Sequence, residues 1–472
     1  MSTFSGVGTA LSSLIAQRQA LDVSAQNIAN ANTVGYTRQR ISLTSVAAQS
    51  VPSMFATADG VGQGTRSAGV ARLGDVFLDA KVRAASGNAA FLAARAEAHS
   101  TLEKSLGEPA ATGLSGLLSD MWAGWADVAN GSDREAARAV LLERATAVAT
   151  GLHSLYADAR TQWQQARTTT VALVERVNTA AASVADLNEK ILAIENSGGA
   201  AHELADQRDL LVTELSSLVG ATARVRQDGQ VDVLVGGSSL VTGDDASELA
   251  VSGATSFAEA TAGESVRVVW AQPVDRPAGL DGGRVAGLLS VLAPAGDGGL
   301  LTGAAARYDE IATELAAQVN DVHATGVTPT GDPGGAFFTF TAGQPAALGL
   351  TVALTSADQV AAGAPGQGEY DGSVAARLAA LGTAAEGPDA RWRAVVTDLG
   401  VQTASAASRS KVAGAMLTST QDQQLANASV DIDEETVNML AYQRAYEGAA
   451  RVLTAIDEML DTLINRTGVV GR

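Results

Sequence analysis

The apolar positions at the two ends of the chain recur at alternating steps of three and four. Phe4, Val7, Leu11, Leu14, Leu21, Ala25 and Ile28 form one such series, with Arg18 in the single remaining slot. That is the seam of a heptad repeat, and it predicts a helix over about residues 3–32. Met439, Tyr442, Tyr446, Ala449, Leu453, Ile456, Leu460 and Leu463 form an unbroken second series. Asp431, Asp433, Glu434 and Glu435 stand just ahead of it, where acids favour a helix N-terminus, so a helix over about 430–465 is predicted. Neither helix can bury its stripe alone. Either the two pack on each other as a coiled coil, or they join other subunits.

Between these ends the pattern changes several times. Residues 36–74 dissolve into Ser, Thr and Gly with short apolar runs, which predicts an extended segment with short strands and a turn at Gly60–Gly64. Residues 75–218 return to helical periodicity, broken at Gly107-Glu108-Pro109, Asn130–Asp133 and Asn196–Gly199. The piece from 133 to 196 is longer than an ordinary globular helix, and Val174, Val177, Ala181, Val184, Leu187, Ile191 and Ile194 mark its stripe. From Val219 the period becomes two. Ala223–Val235 reads as strand, Asp-Gly turn and strand. Helical stretches resume near 284–293 and 304–323. Gly-rich residues 326–370 hold candidate strands at Phe337–Phe340 and Leu350–Leu354, and a last helix covers about 388–425.

The fold class is therefore mainly α with inserted β-rich domains, elongated and multidomain. Its expected division is a terminal coiled coil (1–35 with 428–472), a long-helix rod (36–218 with 388–427, including the extended segment 36–74) and an outer β-rich insert (219–387). Composition agrees with long helices: apolar residues are 46% but aromatics only 4%, so the core is built on Ala, Val and Leu.

Charge and candidate chemistry mostly exclude. A net charge of −19 argues against coating nucleic acid or an anionic membrane. The lysines are Lys81, Lys104, Lys190 and Lys411, and none follows Gly, so no phosphate-binding Gly-Lys loop is present. Cysteine is absent, which removes disulfides and thiolate metal sites. The histidines His99, His153, His202 and His323 lie far apart, and no positive, apolar secretory leader precedes Arg18. Asp431-x-Asp433-x-Glu435 lacks the glycine of a calcium loop and reads as a helix cap. Acid pairs such as Asp127 with Asp133, or Asp309 with Glu310, read as solvated helix faces, and Trp122 with Trp125 as core or interface. No catalytic, cofactor-binding or metal-binding residue is expected, and no cofactor.

The string after the first seam, VSAQNIANANTVGYTRQR, is more specific. It resembles the N-terminal signature of bacterial flagellar rod, hook and hook-associated proteins at Asn27, Ile28, Ala29, Asn30, Thr33, Gly35, Tyr36 and Arg38. Val34 stands where relatives often carry Pro. The C-terminal string from Ser429 to Arg466 resembles the other half of that pattern. Its acidic start and its Asp457–Asn465 close, together with the helix-to-hairpin passage Glu203–Gly243, are similar to the hook-associated protein 1 branch. The resemblance covers about 1–243 and 395–466.

The resemblance implies a structural subunit at the hook–filament junction, not an enzyme. Phe4, Val7, Leu11, Leu14, Leu21 and Ile28 would pack with Met439, Tyr442, Tyr446, Leu453, Ile456, Leu460 and Leu463 as an inner coiled-coil layer. It implies a homo-oligomer in the axial structure, with hook protein below and a second junction protein above. It also implies an export chaperone on the C-terminal helix, terminal helices disordered in the free monomer, and type III export without a cleaved signal peptide. Rival readings are a hook or distal-rod subunit, or a secreted enzyme or adhesive insert on this scaffold. A catalytic pair would then come from Asp275, Asp281, Asp309, Glu310, Asp332, Asp371 or His323.

Overall fold

A computed structural model describes residues 3–47, 62–273, 275–368 and 370–466. Gly60 and Val61 of the expected turn, and the Phe4 side chain, lie outside that description.

The chain begins with α1 (Thr3–Asn30) and turns into an antiparallel hairpin, β1 (Gln39–Ser45) with β2 (Thr65–Arg72), bulged between Ser42 and Leu43. Four helices follow: α2 (Val76–Ser105), α3 (Leu114–Asn130), α4 (Glu135–Asn196) and α5 (His202–Val219). Their breaks fall where Gly, Pro and Asn cluster. Asp75 starts α2 by accepting the amides of Phe77 and Leu78, and Gly220 (φ 69°) ends α5 in the left-handed conformation. With 62 residues, α4 is about 93 Å long.

The β-rich stretch then runs β3 (Thr222–Val225), β4 (Val231–Val235), β5 (Ser238–Thr242) and β6 (Asp245–Ala246) as one antiparallel meander. The Asp228-Gly229 turn joins β3 to β4, and Gly236-Gly237, both at positive φ, joins β4 to β5. A separate pair, β7 (Leu249–Ser252) and β8 (Arg267–Trp270), flanks the short α6 (Phe257–Thr261). Next come α7 (Gly283–Leu292), α8 (Leu300–His323), β9 (Phe338–Phe340), α9 (Ala346–Gly349), β10 (Leu350–Val352) and α10 (Ser373–Leu381). The chain returns through α11 (Pro388–Ala428) into α12 (Ile432–Asp461), followed by a π-wound turn, Thr462–Arg466.

Two apolar cores organise the body, and α4 serves both. Its first half buries Leu141, Val148, Leu152 and Trp163 against α3, α8, α9 and β10, in a cluster that extends to α10 and the start of α11. Its second half buries Val174, Val177, Val184 and Ile191 near α5 and the β3–β8 strands. The apolar residues of the expected insert 219–387 are shared between these two cores. Residues 219–249 and 268–285 complete one core, while Ala254–Val266 around α6 and much of 288–378 complete the other, because neither set of short strands carries enough apolar surface to bury itself. Residues 326–387 are also less β-rich than expected, with only three-residue strands at β9 and β10.

Among the described residues no helix is long and apolar enough to cross a membrane.

Candidate assembly interface

The terminal helices α1 and α12 pack along one another, and α11 packs on α2 beside them. On α12 the predicted series is covered unevenly. Ile456 is buried, Met439, Tyr442, Ala449, Leu453 and Leu460 are half-buried, and Tyr446 and Leu463 are exposed. A Cβ at Gly6 would lie 3.1 Å from Ile456 Cδ1, so the glycine is what lets that side chain approach.

On α1 the covered strip is different from the one predicted. Ala10, Ala16, Ala20, Ser24 and Asn27 are buried, whereas Val7, Leu14, Leu21 and Ile28 are only half-buried and Leu11 is 50% exposed. Small residues form the inward strip because they let the backbones approach while the bulkier α12 side chains fill the gap. Within one chain the two bulky series therefore do not interdigitate. The larger α1 residues lie along the flank, with Ile15 also half exposed. On α12, Val437, Leu440, Val452 and Met459 are likewise at least half exposed. A helix apolar on more than one face is built to be covered.

Below this pair the signature residues form a joint. Asn27, buried in α1, donates from Nδ2 to Gln39 O at 2.8 Å, while its Oδ1 accepts the Gln39 amide at 2.9 Å. Tyr36 donates its hydroxyl to the same Oδ1 at 2.9 Å. Burial, with help from Glu203, Asp206 and Glu435, pushes the Tyr36 phenol up to about 12, so it remains a donor. Thr33 Oγ1 donates to Asn30 Oδ1. Gly35 takes φ 81°, and a Cβ there would sit 2.5 Å from Leu210, so only glycine fits. Ile28 is half-buried and Ala29 is exposed; they complete the α1 end without a polar role.

Arg38 ties the joint to the other end of the chain. Its backbone amide donates to Ala428 O, at the end of α11. Its guanidinium donates to Glu434 from Nη1 and Nη2, at 2.9 and 2.7 Å, and from Nε to Glu435 at 2.8 Å. Hydrogen bonding to Glu434 holds the Arg38 pKa above its ordinary value, and Arg38 holds the Glu434 carboxyl below its own. Asp431 caps α12 by accepting the amides of Asp433 and Glu434, as expected of a cap. Glu435, at 3% exposure, is sealed beneath Arg38.

A second charged layer went unread in the sequence. Asp206 Oδ2 on α5 accepts the Thr37 amide at 3.1 Å, and Arg72 Nη2 lies 2.5 Å from Asp206 Oδ1 and 2.7 Å from Asp209 Oδ2. Arg83 on α2 reaches Asp209 at 3.3 Å. The signal available was the acid pair three apart in LADQRD, which places both carboxylates on one helix face. The Glu203–Gly243 passage has a second anchor: buried Asn188 of α4 donates to Val231 O and Gly243 O and accepts from Arg208 Nη1.

The residues a catalytic reading would need are scattered and mostly engaged. His323 is sealed, with Nδ1 2.7 Å from Gly335 O and Nε2 accepting the Ala361 amide at 2.9 Å. Asp309 accepts the Ala347 amide, Asp371 the amides of Ala364 and Ser373, and Asp332 the Thr330 hydroxyl. Asp275 sits in a left-handed turn. Trp122 and Trp125 are core residues: Trp122 Nε1 donates to Asp389 at 2.7 Å, and Trp125 packs on Phe337 and His323. Asp127 pairs with Arg144 rather than with Asp133. Among the described residues no three His, Asp or Glu side chains converge as for a metal.

A family model described as flagellar hook-associated protein FlgK helical domain matches residues 99–338. The C-terminal model of basal body rod FlgEFG proteins matches 421–466, and a basal body rod protein model matches 8–37. The chain is 30% identical to flagellar hook-associated protein 1 of Bacillus subtilis (strain 168) across 100% of both proteins. It is 30% identical over 247 residues to the same-named protein of Escherichia coli (strain K12), covering 52% of this chain and 44% of that one. The fold matches the flagellar hook junction protein FlgK from Burkholderia pseudomallei with a TM-score of 0.63 at 17% identity, over 74% of this chain and 100% of that one.

Proposed function

This chain belongs to the flagellar hook-associated protein 1 family, structural components of the bacterial flagellum at the hook–filament junction, and from that membership we propose how its own residues serve the junction. The α1–α12 pair forms the inner layer of the axial structure, and neighbouring copies cover the apolar faces that a single chain leaves open. Leu11 and Ile15 on one helix, and Val437, Leu440, Val452 and Met459 on the other, are the surfaces so used. That unfilled surface is the observation carrying the reading. The bulky series Phe4, Val7, Leu11, Leu14, Leu21 and Ile28 then packs between copies rather than within one.

The joint around Asn27, Arg38 and Asp206 fixes the angle at which the terminal pair leaves the body, so subunits enter the array in one orientation. Hook protein lies below and a second junction protein above. A cytoplasmic chaperone holds α12 until assembly, and the chain leaves by the flagellar type III route without a cleaved signal peptide. A chain without cysteine suits unfolded transit. Its role is structural, with no reaction catalysed.

Electron microscopy of cells lacking the gene, with flagellin assayed in the medium, tests the placement. Bare hooks with shed flagellin are the expected outcome. Absent hooks would move the subunit to the rod, and normal filaments would overturn the structural role.

A further inference from the structure

A cavity of 470 Å³ lies between α2, the start of α8 and α11, away from the terminal joint. Three features of its wall share one chemistry. First, α8 opens into it uncapped: Gly299 at its N-cap has no side chain, and the Thr302 hydroxyl donates to Ala293 O instead of capping. Gly298, Gly299, Leu300 and Gly303 at the start of this 24-residue helix line the cavity, which brings the positive end of its dipole to the wall. Second, Arg95 and Arg307 line the wall. Arg307 pairs with Asp398 at 2.6 Å, but Arg95 makes no ion pair among the described residues and only lies over Phe91. Third, His99, one turn after Arg95 on the same face of α2, is 7% exposed, and its buried Nδ1 has no hydrogen-bond partner.

A buried imidazole nitrogen without a partner is costly, and here it stands beside a free guanidinium and an open helix N-terminus. In a chain of net charge −19 such a concentration of donors is unusual. Glu310 is the one carboxylate on the wall, and it is exposed. We propose that this cavity is an oxyanion site, taking a carboxylate or phosphate group between the α8 N-terminus, Arg95 and His99. Burial and Arg95 hold the His99 imidazole below its ordinary pKa. A bound anion offsets the Arg95 charge and favours the protonated ring.

The full-length monomer should be titrated with inorganic phosphate, and separately with acetate, against chloride at equal ionic strength, while the His99 ring resonances are followed by NMR. Saturable shifts with phosphate or acetate, absent with chloride, are expected. Arg95→Ala should weaken binding at least ten-fold, and Arg95→Lys should restore part of it. Equal shifts with chloride, or undiminished binding by a folded Arg95→Ala protein, would overturn the site. Flagella built from Arg95→Ala subunits then distinguish the two sources of the group. Loss of the junction layer identifies a carboxylate of a neighbouring copy, and intact flagella identify a free ion.

Discussion

In the helical body Trp125, Trp163 and Trp392 are sealed from solvent, whereas among the described side chains of α1 and α12 the largest sealed apolar one is Ile456. The body buries whole aromatic rings against one another: Trp163 and Tyr156 meet Phe257, and Tyr308 meets Trp392. The terminal pair buries mainly alanine, serine and the edges of longer residues. Both regions are helical and both follow apolar periodicity, so the difference lies in who completes the core. The body completes its own. In the proposed reading, the terminal pair is half of a core whose remainder comes from other chains.

The sharpest way to break that contrast is in the seam. Leu453→Asp combined with Leu460→Asp should abolish incorporation into flagella, leaving bare hooks, while the thermal transition of the body stays unchanged. Normal filaments from this variant would refute the seam. Trp163→Ala should do the reverse, costing the body about 3–5 kcal/mol in denaturant unfolding, because the ring is sealed and its Nε1 donates to Leu292 O. Arg38→Ala strands buried Glu435, and should cost about 1–3 kcal/mol, read as loss of coupling between terminal and body amides in hydrogen exchange. The same experiment on dilute wild-type monomer should show α1 and α12 exchanging far faster than α4. Equal protection would erase the distinction between the regions.

Acid gives the smallest effect and separates the regions by pH. Burial holds the His323 imidazole below its usual pKa, so the unfolded chain binds more protons than the folded one. Body stability is therefore complete above about 6.5 and declines as pH falls below it. At the joint the Arg38 guanidinium depresses Glu434, so that contribution is complete above about 4.3 and is lost only at lower pH. Melts between pH 7.5 and 5 should thus weaken the body while the Arg38–Glu434 pair persists. A flat profile over that range would remove His323 from the account.

Much of the architecture was legible because local signals coincide with element ends. The Gly107–Pro109, Asn130–Asp133 and Asn196–Gly199 breaks separate α2, α3, α4 and α5, and the Asp228-Gly229 turn joins β3 to β4. The bulky side of α1 misled the pairing for a physical reason. Periodicity records only which positions are apolar, and an alanine strip such as Ala10, Ala16 and Ala20 counts there just as a leucine strip does. Choosing between them needs the partner's shape, which only Gly6 against Ile456 reveals. The sharing of the body's cores was hidden for a similar reason. A change of period at Val219 marks a change of element, yet core membership is set across the chain, where α4 gathers both sets of strands. In the joint, Tyr36, Gly35 and Arg38 stood out by type and spacing. Asp206 and Asp209 did not, because their partners Thr37, Arg72 and Arg83 are more than a hundred residues away.

The unbroken run of α4 has a mechanical meaning. A helix that belongs to both cores lets neither loosen without disturbing the other, and no break between Glu135 and Asn196 acts as a soft joint within it. Torque reaching one end of such a beam is delivered to the far end along a continuous ladder of backbone hydrogen bonds. A subunit seated between a compliant coupling and a stiff propeller therefore carries its own drive shaft.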